Sequence, residues 1–105
     1  MGMILTGRRV GAKEGKELGF VNEVVPTGEA LAGAKRWAAT ILECSPMSIR
    51  ASKQGAYMGL DETSVGNAIR NQAVYPAYKA MGESEDYIEG PKAFSEKRPP
   101  NWKGR

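Results

Sequence analysis

A single β-branched run decides what this chain can build. Phe20-Val21-Asn22-Glu23-Val24-Val25 is the one stretch with extended character, and Pro26 ends it. One strand cannot make a sheet, so this segment must lie on another element or stay irregular. The remainder reads as helix. The fold class that follows is all-α: a small helical bundle of three main helices plus short turns. With 105 residues there is room for one domain. A chain of this size buries about 60–65% of the surface its unfolded form exposes.

The helices are marked by their stops and starts. Gly7 terminates a short turn ending at Thr6, and Gly19 stops a short helix over 12–18. Gly15 weakens that helix by about 1 kcal/mol relative to alanine, so it needs tertiary support. Residues 28–44 form the clearest helix, with Leu31, Ala34, Ala38, Ile41 and Leu42 on its inward face. Ser45-Pro46 stops it and starts another over 46–59, with serine as cap and proline at the first helical position. Met47, Ala51, Gln54 and Met58 share one side of this helix, and Ile49, Ala56, Tyr57 and Leu60 the other, a pattern that predicts burial between neighbours. A third long helix is predicted over 62–81, with Val65, Ala68, Ile69, Gln72 and Tyr75 inward and Pro76 kinking or splitting it. Ser84 caps a further start, with Glu85 and Asp86 in the first turn. Gly90-Pro91 is expected to interrupt, with a fresh turn from Pro91 through Phe94 to Lys97. Residues 98–105 read as an extended tail.

Composition removes several chemistries. The sequence has no histidine and one cysteine, Cys44. An internal disulfide, a zinc site, a Cys–His pair and a Ser–His–Asp triad are therefore excluded within it. No apolar run reaches eighteen residues, and neither a membrane span nor a signal peptide is expected. A free cysteine without a signal fits the cytoplasm. The net charge of +3 is concentrated in residues 92–105, where Lys92, Lys97, Arg98, Lys103 and Arg105 stand against Glu96. A nucleic-acid binder would carry a basic stripe along an element, so no nucleic-acid partner is expected.

The candidate reactive groups mostly have plainer readings. Glu14 with Glu17, and Glu85, Asp86 and Glu89, have helical spacing, but a solvated face or a capped terminus outweighs an acid–base pair. Cys44 reads as a small buried hydrophobe, and Lys53 as a surface charge rather than a phosphate ligand. Gly2, Gly7 and Gly11 do not follow a strand and make no dinucleotide fingerprint. Tyr75, Tyr78 and Tyr87 read as packing aromatics. Phe94 and Lys97, three apart, can share one face of a turn, where a ring could cover a base and an ammonium meet a phosphate. Spacing alone favours a core aromatic beside a surface lysine.

Several segments taken in order change that balance. They are Ile4-Leu5-Thr6-Gly7-Arg8-Arg9, Glu17-Leu18-Gly19-Phe20-Val21-Asn22-Glu23-Val24-Val25-Pro26, Ser45-Pro46 with Lys53 downstream, Ser84-Glu85-Asp86, Glu89-Gly90 and Ala93-Phe94-Ser95-Glu96-Lys97-Arg98-Pro99. Together they resemble the C-terminal part of enoyl-CoA hydratase/isomerase (crotonase) family proteins along essentially the whole chain. The resemblance implies a single C-terminal helical domain over 1–105: a hand-over segment 1–26, helices 28–97 and a basic tail 98–105, without the family's ββα spiral core. It implies a lyase or isomerase as parent, acting on 2-enoyl-CoA in fatty-acid or related metabolism. The parent's substrate would be acyl-CoA, with no further cofactor and no metal. Its assembly would be a homo-oligomer, a trimer or a dimer of trimers.

The family's oxyanion hole and paired glutamates belong to the spiral core. No catalytic residue is therefore expected in 1–105, and the chain alone should be silent. Phe94 and Lys97 match the family positions that reach CoA bound in a neighbouring subunit. Gly11 and Gly15, where relatives often carry alanine, and Pro91, inside a usual helical turn, depart from the pattern. The rival reading is a free-standing helical interaction module with no enzymatic role.

Overall fold

A computed structural model describes residues 1–105. It contains seven α-helices, one 3-10 turn and no strand. The all-helical expectation holds, and the Phe20–Val25 run stays irregular. The helices are α1 Gly2–Thr6, α2 Ala12–Glu17, α3 Ala30–Leu42, α4 Pro46–Gly59, α5 Val65–Asn71, α6 Pro76–Gly82 and α7 Glu85–Ser95, with the 3-10 turn at Gln72–Val74. The chain divides into two compact units, Met1–Ala39 and Thr40–Arg105.

In the first unit, α2 ends in a double hydrogen-bonded closure. Gly19 takes a left-handed φ of 88°. Its N–H donates to Lys16 O, and the N–H groups of Phe20 and Val21 both donate to Gly15 O. Those amides are spent on the helix end, so the β-branched run has no free ladder to offer. It is fastened to α3 instead. Glu23 accepts from Arg36 at 2.7 Å and from the Trp37 indole at 2.9 Å, and Val25 lies against Gly33.

Gly15 is the buried residue of α2, and a Cβ there would stand 2.8 Å from Val21 Cγ2 and 3.0 Å from the Phe20 ring. This is the tertiary support that the helix needs. Gly15→Ala should therefore destabilise the first unit despite better helix propensity. Overpacking costs about 1–3 kcal/mol against a propensity gain of about 1 kcal/mol. Faster amide exchange at Phe20 and Val21 in the variant would register the loss.

In the second unit, α4 runs over the residues that the sequence predicts, and Ser45 Oγ accepts the Ser48 N–H at its start. α4 packs chiefly on α6. The predicted helix over 62–81 is divided, as Pro76 demands. Tyr75 before it is extended, with ψ 135°, and α6 restarts at the proline. Tyr75 offers no cap, and Gln54 of α4 supplies one by accepting the Ala77 N–H at 2.8 Å. Pro91 does not interrupt. It sits inside α7, which continues to Ser95. The proline removes one donor to the carbonyl of Tyr87, and the rest of the helix carries on. Gly90 beside it has another use: the Trp102 indole lies 3.4 Å from where a Cβ would be.

The core is small. Met47, Ala51, Tyr75 and Ala93 are its buried apolar residues. Several residues read as inward are exposed: Leu31, Ile41 and Leu42 on α3, Val65 and Ile69 on α5, and Met58, Tyr57 and Leu60 on or just after α4. Their periodicity is that of a buried face, but nothing in this chain covers them. Cys44 is exposed too, because α3 ends at Leu42 and the cysteine falls in the connection to Ser45.

Candidate functional site

The turn that closes α7 carries the two residues singled out by spacing and resemblance. Ser84 starts the helix by accepting the Tyr87 N–H, and Glu85 and Asp86 fill the first turn. At the other end the Lys97 N–H donates to Phe94 O at 3.2 Å, and the Arg98 N–H donates to Ala93 O at 3.1 Å. This is the same closure that Gly19 makes after α2, but here a lysine occupies the left-handed position, with φ 52°. A side-chain-bearing residue there costs about 1 kcal/mol over glycine. Lys97 is the chain's one non-glycine residue with positive φ.

Phe94 is 88% exposed, the most exposed aromatic in the chain. The plain reading of Phe94 as a core anchor is therefore corrected: its ring faces solvent. Lys97 is exposed and belongs to none of the ion pairs.

Beside this turn stands a carboxylate network that the helical spacing of Glu85, Asp86 and Glu89 did not separate from a solvated face. Glu89 accepts from both terminal nitrogens of Arg98, at 2.6 and 3.0 Å, and from the Asn101 N–H at 2.7 Å. Arg98 also donates to Glu96 at 2.6 Å. The Arg98 hydrogen bonds, then the Asn101 amide, pull the Glu89 carboxyl down to about 2, and the same pairing raises Arg98.

Asp86 is 3% exposed. It accepts from the Ser45 hydroxyl at 2.9 Å, from the Lys103 N–H at 2.7 Å and from the Gly104 N–H at 3.2 Å. Burial pushes its carboxyl up, but these hydrogen bonds together outweigh it and hold the group below the usual carboxylate range. The Glu85 N–H donates to Arg105 O at 2.7 Å, and the Trp102 indole N–H to Glu43 O at 2.9 Å. Residues 98–105 are non-helical as expected, yet they form a strap tied along α7. Two of their charges, Arg98 and Arg105, are neutralised by Glu89, Glu96 and Glu85.

The other candidates fall elsewhere. Lys53 is exposed. An open cavity of about 390 Å³ lies among α4, the 3-10 turn and α6, lined by Ser52, Gly55, Gln72 and Tyr78 among others, with no charged residue. It holds no acid–base pair. No group of three His, Cys, Asp or Glu side chains is arranged to bind a metal ion.

Comparison with known proteins decides the family. A model of the enoyl-CoA hydratase/isomerase family matches residues 1–105. The chain belongs to the enoyl-CoA hydratase/isomerase family. Carnitinyl-CoA dehydratase of Escherichia coli K12 is 42% identical over 105 positions, covering 98% of this chain and 40% of the dehydratase. The Salmonella typhi carnitinyl-CoA dehydratase is 39% identical over the same span. Among solved structures, an enoyl-CoA hydratase from Mycobacterium tuberculosis H37Rv matches all of this chain and 40% of its own, with TM-score 0.88 and 30% identity. An enoyl-CoA hydratase from Bacillus anthracis matches 99% of this chain and 39% of its own, with TM-score 0.84 and 33% identity. The chain thus spans about 40% of the length of the relatives it matches. Within the enoyl-CoA hydratase/isomerase family its likeness is to a helical part, and the reading of a free-standing module finds no support among these relatives.

Proposed function

We propose that residues 1–105 are the C-terminal helical domain of an acyl-CoA hydratase or dehydratase, lying as a cover on a catalytic body and on other subunits of a homo-oligomer. Residues 1–26 form the hand-over segment, 28–97 the covering helices, and 98–105 the strap. The parent reaction is the addition or removal of water at the double bond of an enoyl-CoA thioester. That chemistry rests on stabilising a thioester oxyanion. We assign none of the 105 residues a catalytic role. Phe94 and Lys97 are the ligand-facing pair: the ring lies against the adenine of CoA bound in a neighbouring subunit and the ammonium meets a phosphate.

One observation carries this reading. Regularly spaced apolar residues stand exposed within each unit: Leu31 on α3 at 68%, and Val65 and Ile69 on α5 at 77% and 64%. Apolar faces of that pattern are what the underside of a cover presents.

The test is an NMR titration of the chain with adenosine 3′,5′-bisphosphate, the nucleotide end of CoA. The Phe94 ring and Lys97 amide signals should shift saturably, and Phe94→Ala should weaken binding by about tenfold, in line with stacking worth about 1–3 kcal/mol per base. A short 2-enoyl-CoA should not be hydrated above blank by the purified chain. Shifts confined to other residues, or measurable hydration, would refute the assignment.

A further inference from the structure

The left-handed lysine after α7 breaks a local rule that the same chain obeys after α2. Both helix ends close with the same pair of backbone bonds, yet one uses Gly19 and the other Lys97. Glycine would satisfy the turn at lower conformational cost, so the side chain at 97 is retained for something other than folding. A strained residue persists only where its surroundings over-determine it.

The surroundings here are specific. Arg98, the next residue, is held fork on fork by Glu89, nine residues earlier in α7, at 2.6 and 3.0 Å. Glu96, the residue before, takes the Arg98 Nε–H at 2.6 Å. Both chain neighbours of Lys97 are thereby tied down by side chains, while Lys97 itself takes part in no ion pair. Glu89 is fixed in turn by the Asn101 N–H of the strap at 2.7 Å. This arrangement ties down the residues on either side of the left-handed position and leaves the Lys97 ammonium outside every ion pair.

We infer that Glu89 and Arg98 are positioning residues, whose ion pair forces residue 97 into the left-handed conformation and so presents the Phe94 ring and the Lys97 ammonium together to an adenine nucleotide. The identity of the ligand rests on the reading under Proposed function; the clamp on the backbone does not.

The experiment separates the two. Unfolding midpoints are measured for the full chain, Lys97→Gly, Glu89→Gln and the double variant, with Arg98→Lys as a second way of breaking the fork. Lys97→Gly should raise the midpoint in the parent chain, because it removes strain. That gain should shrink or vanish with Glu89→Gln, because without the clamp Lys97 leaves the left-handed region unaided. Adenosine 3′,5′-bisphosphate affinity should fall about tenfold in Glu89→Gln, which is about 1.4 kcal/mol, with Lys97 intact. An equal gain from glycine in both backgrounds overturns the clamp. A shrunken gain with unchanged nucleotide affinity overturns the positioning role. A shrunken gain in a chain that binds no nucleotide at all upholds the clamp and refutes the ligand reading alone.

Discussion

Replacing Asp86 by alanine is expected to destabilise the second unit by about 2–4 kcal/mol, since a buried carboxylate with several hydrogen bonds is lost and its donors are left behind. Three segments far apart in sequence meet at this one side chain. Ser45 stands at the start of α4, Asp86 in the first turn of α7, and Lys103 and Gly104 in the strap. The Arg50 side chain, donating to Gly104 O at 3.3 Å, depends on the same placement. Alanine removes every acceptor at once, whereas Asp86→Asn keeps one carbonyl and should lose less. Trp102 reports the strap directly, because its indole lies on Gly90 and donates to Glu43 O. Its fluorescence in a Trp37→Phe background, followed through a urea titration, gives the midpoint.

Acid should reproduce the effect without a mutation. Asp86 and Glu89 both have folded-state values below their ordinary ones. Groups lowered in this way stabilise fully above their unfolded values of about 4. Their contribution fades as pH falls through the folded values, which for Glu89 is about 2. The strap should therefore stay closed at neutral pH and open between about pH 4 and pH 2, and these two groups predict no loss on the alkaline side.

How far the sequence could be read depended on whether the deciding chemistry was local. Ser45-Pro46, Ser84 and the glycines at 7 and 19 set helix ends through bonds to residues three to five positions away, and those ends stand where punctuation put them. The split at Pro76 is local for the same reason. Leu31, Ile41, Leu42, Val65 and Ile69 mark the opposite case. Their spacing announces a face that must be covered and says nothing about which chain covers it, so the same pattern fits a core residue and an exposed one alike.

Asp86 is not legible in the sequence, because its spacing to Glu85 and Glu89 is that of any solvated helix face. Its partners lie 41 residues upstream at Ser45 and 17–18 downstream in the strap. Lys97 could have been suspected from position alone, as a lysine where a helix terminator belongs. The proposal of Phe94 and Lys97 as a nucleotide-facing pair rests on the family resemblance, and the outward ring is what the structure adds.

The second large effect expected is self-association. Apolar side chains left in water gain about 25 cal/mol for each Å² that a neighbour covers. Leu42 at 77% exposed and Phe94 at 88% are only two of many large apolar groups in that position. Contiguous apolar surface beyond a few hundred Å² is rare on a true monomer. The isolated chain should therefore pair or cluster through the faces that a catalytic body would cover. Charged substitutions at Leu42 and Ile69, which are exposed and outside the small core, should suppress association while leaving helix content unchanged.

Sedimentation equilibrium of the 105-residue chain across a hundredfold range of concentration tests the covering-domain account most directly. A weight-average mass that climbs with concentration, and falls back towards 11.4 kDa in the charged variants, is the predicted result. A mass fixed at the monomer value throughout, for a chain that is folded, would contradict it.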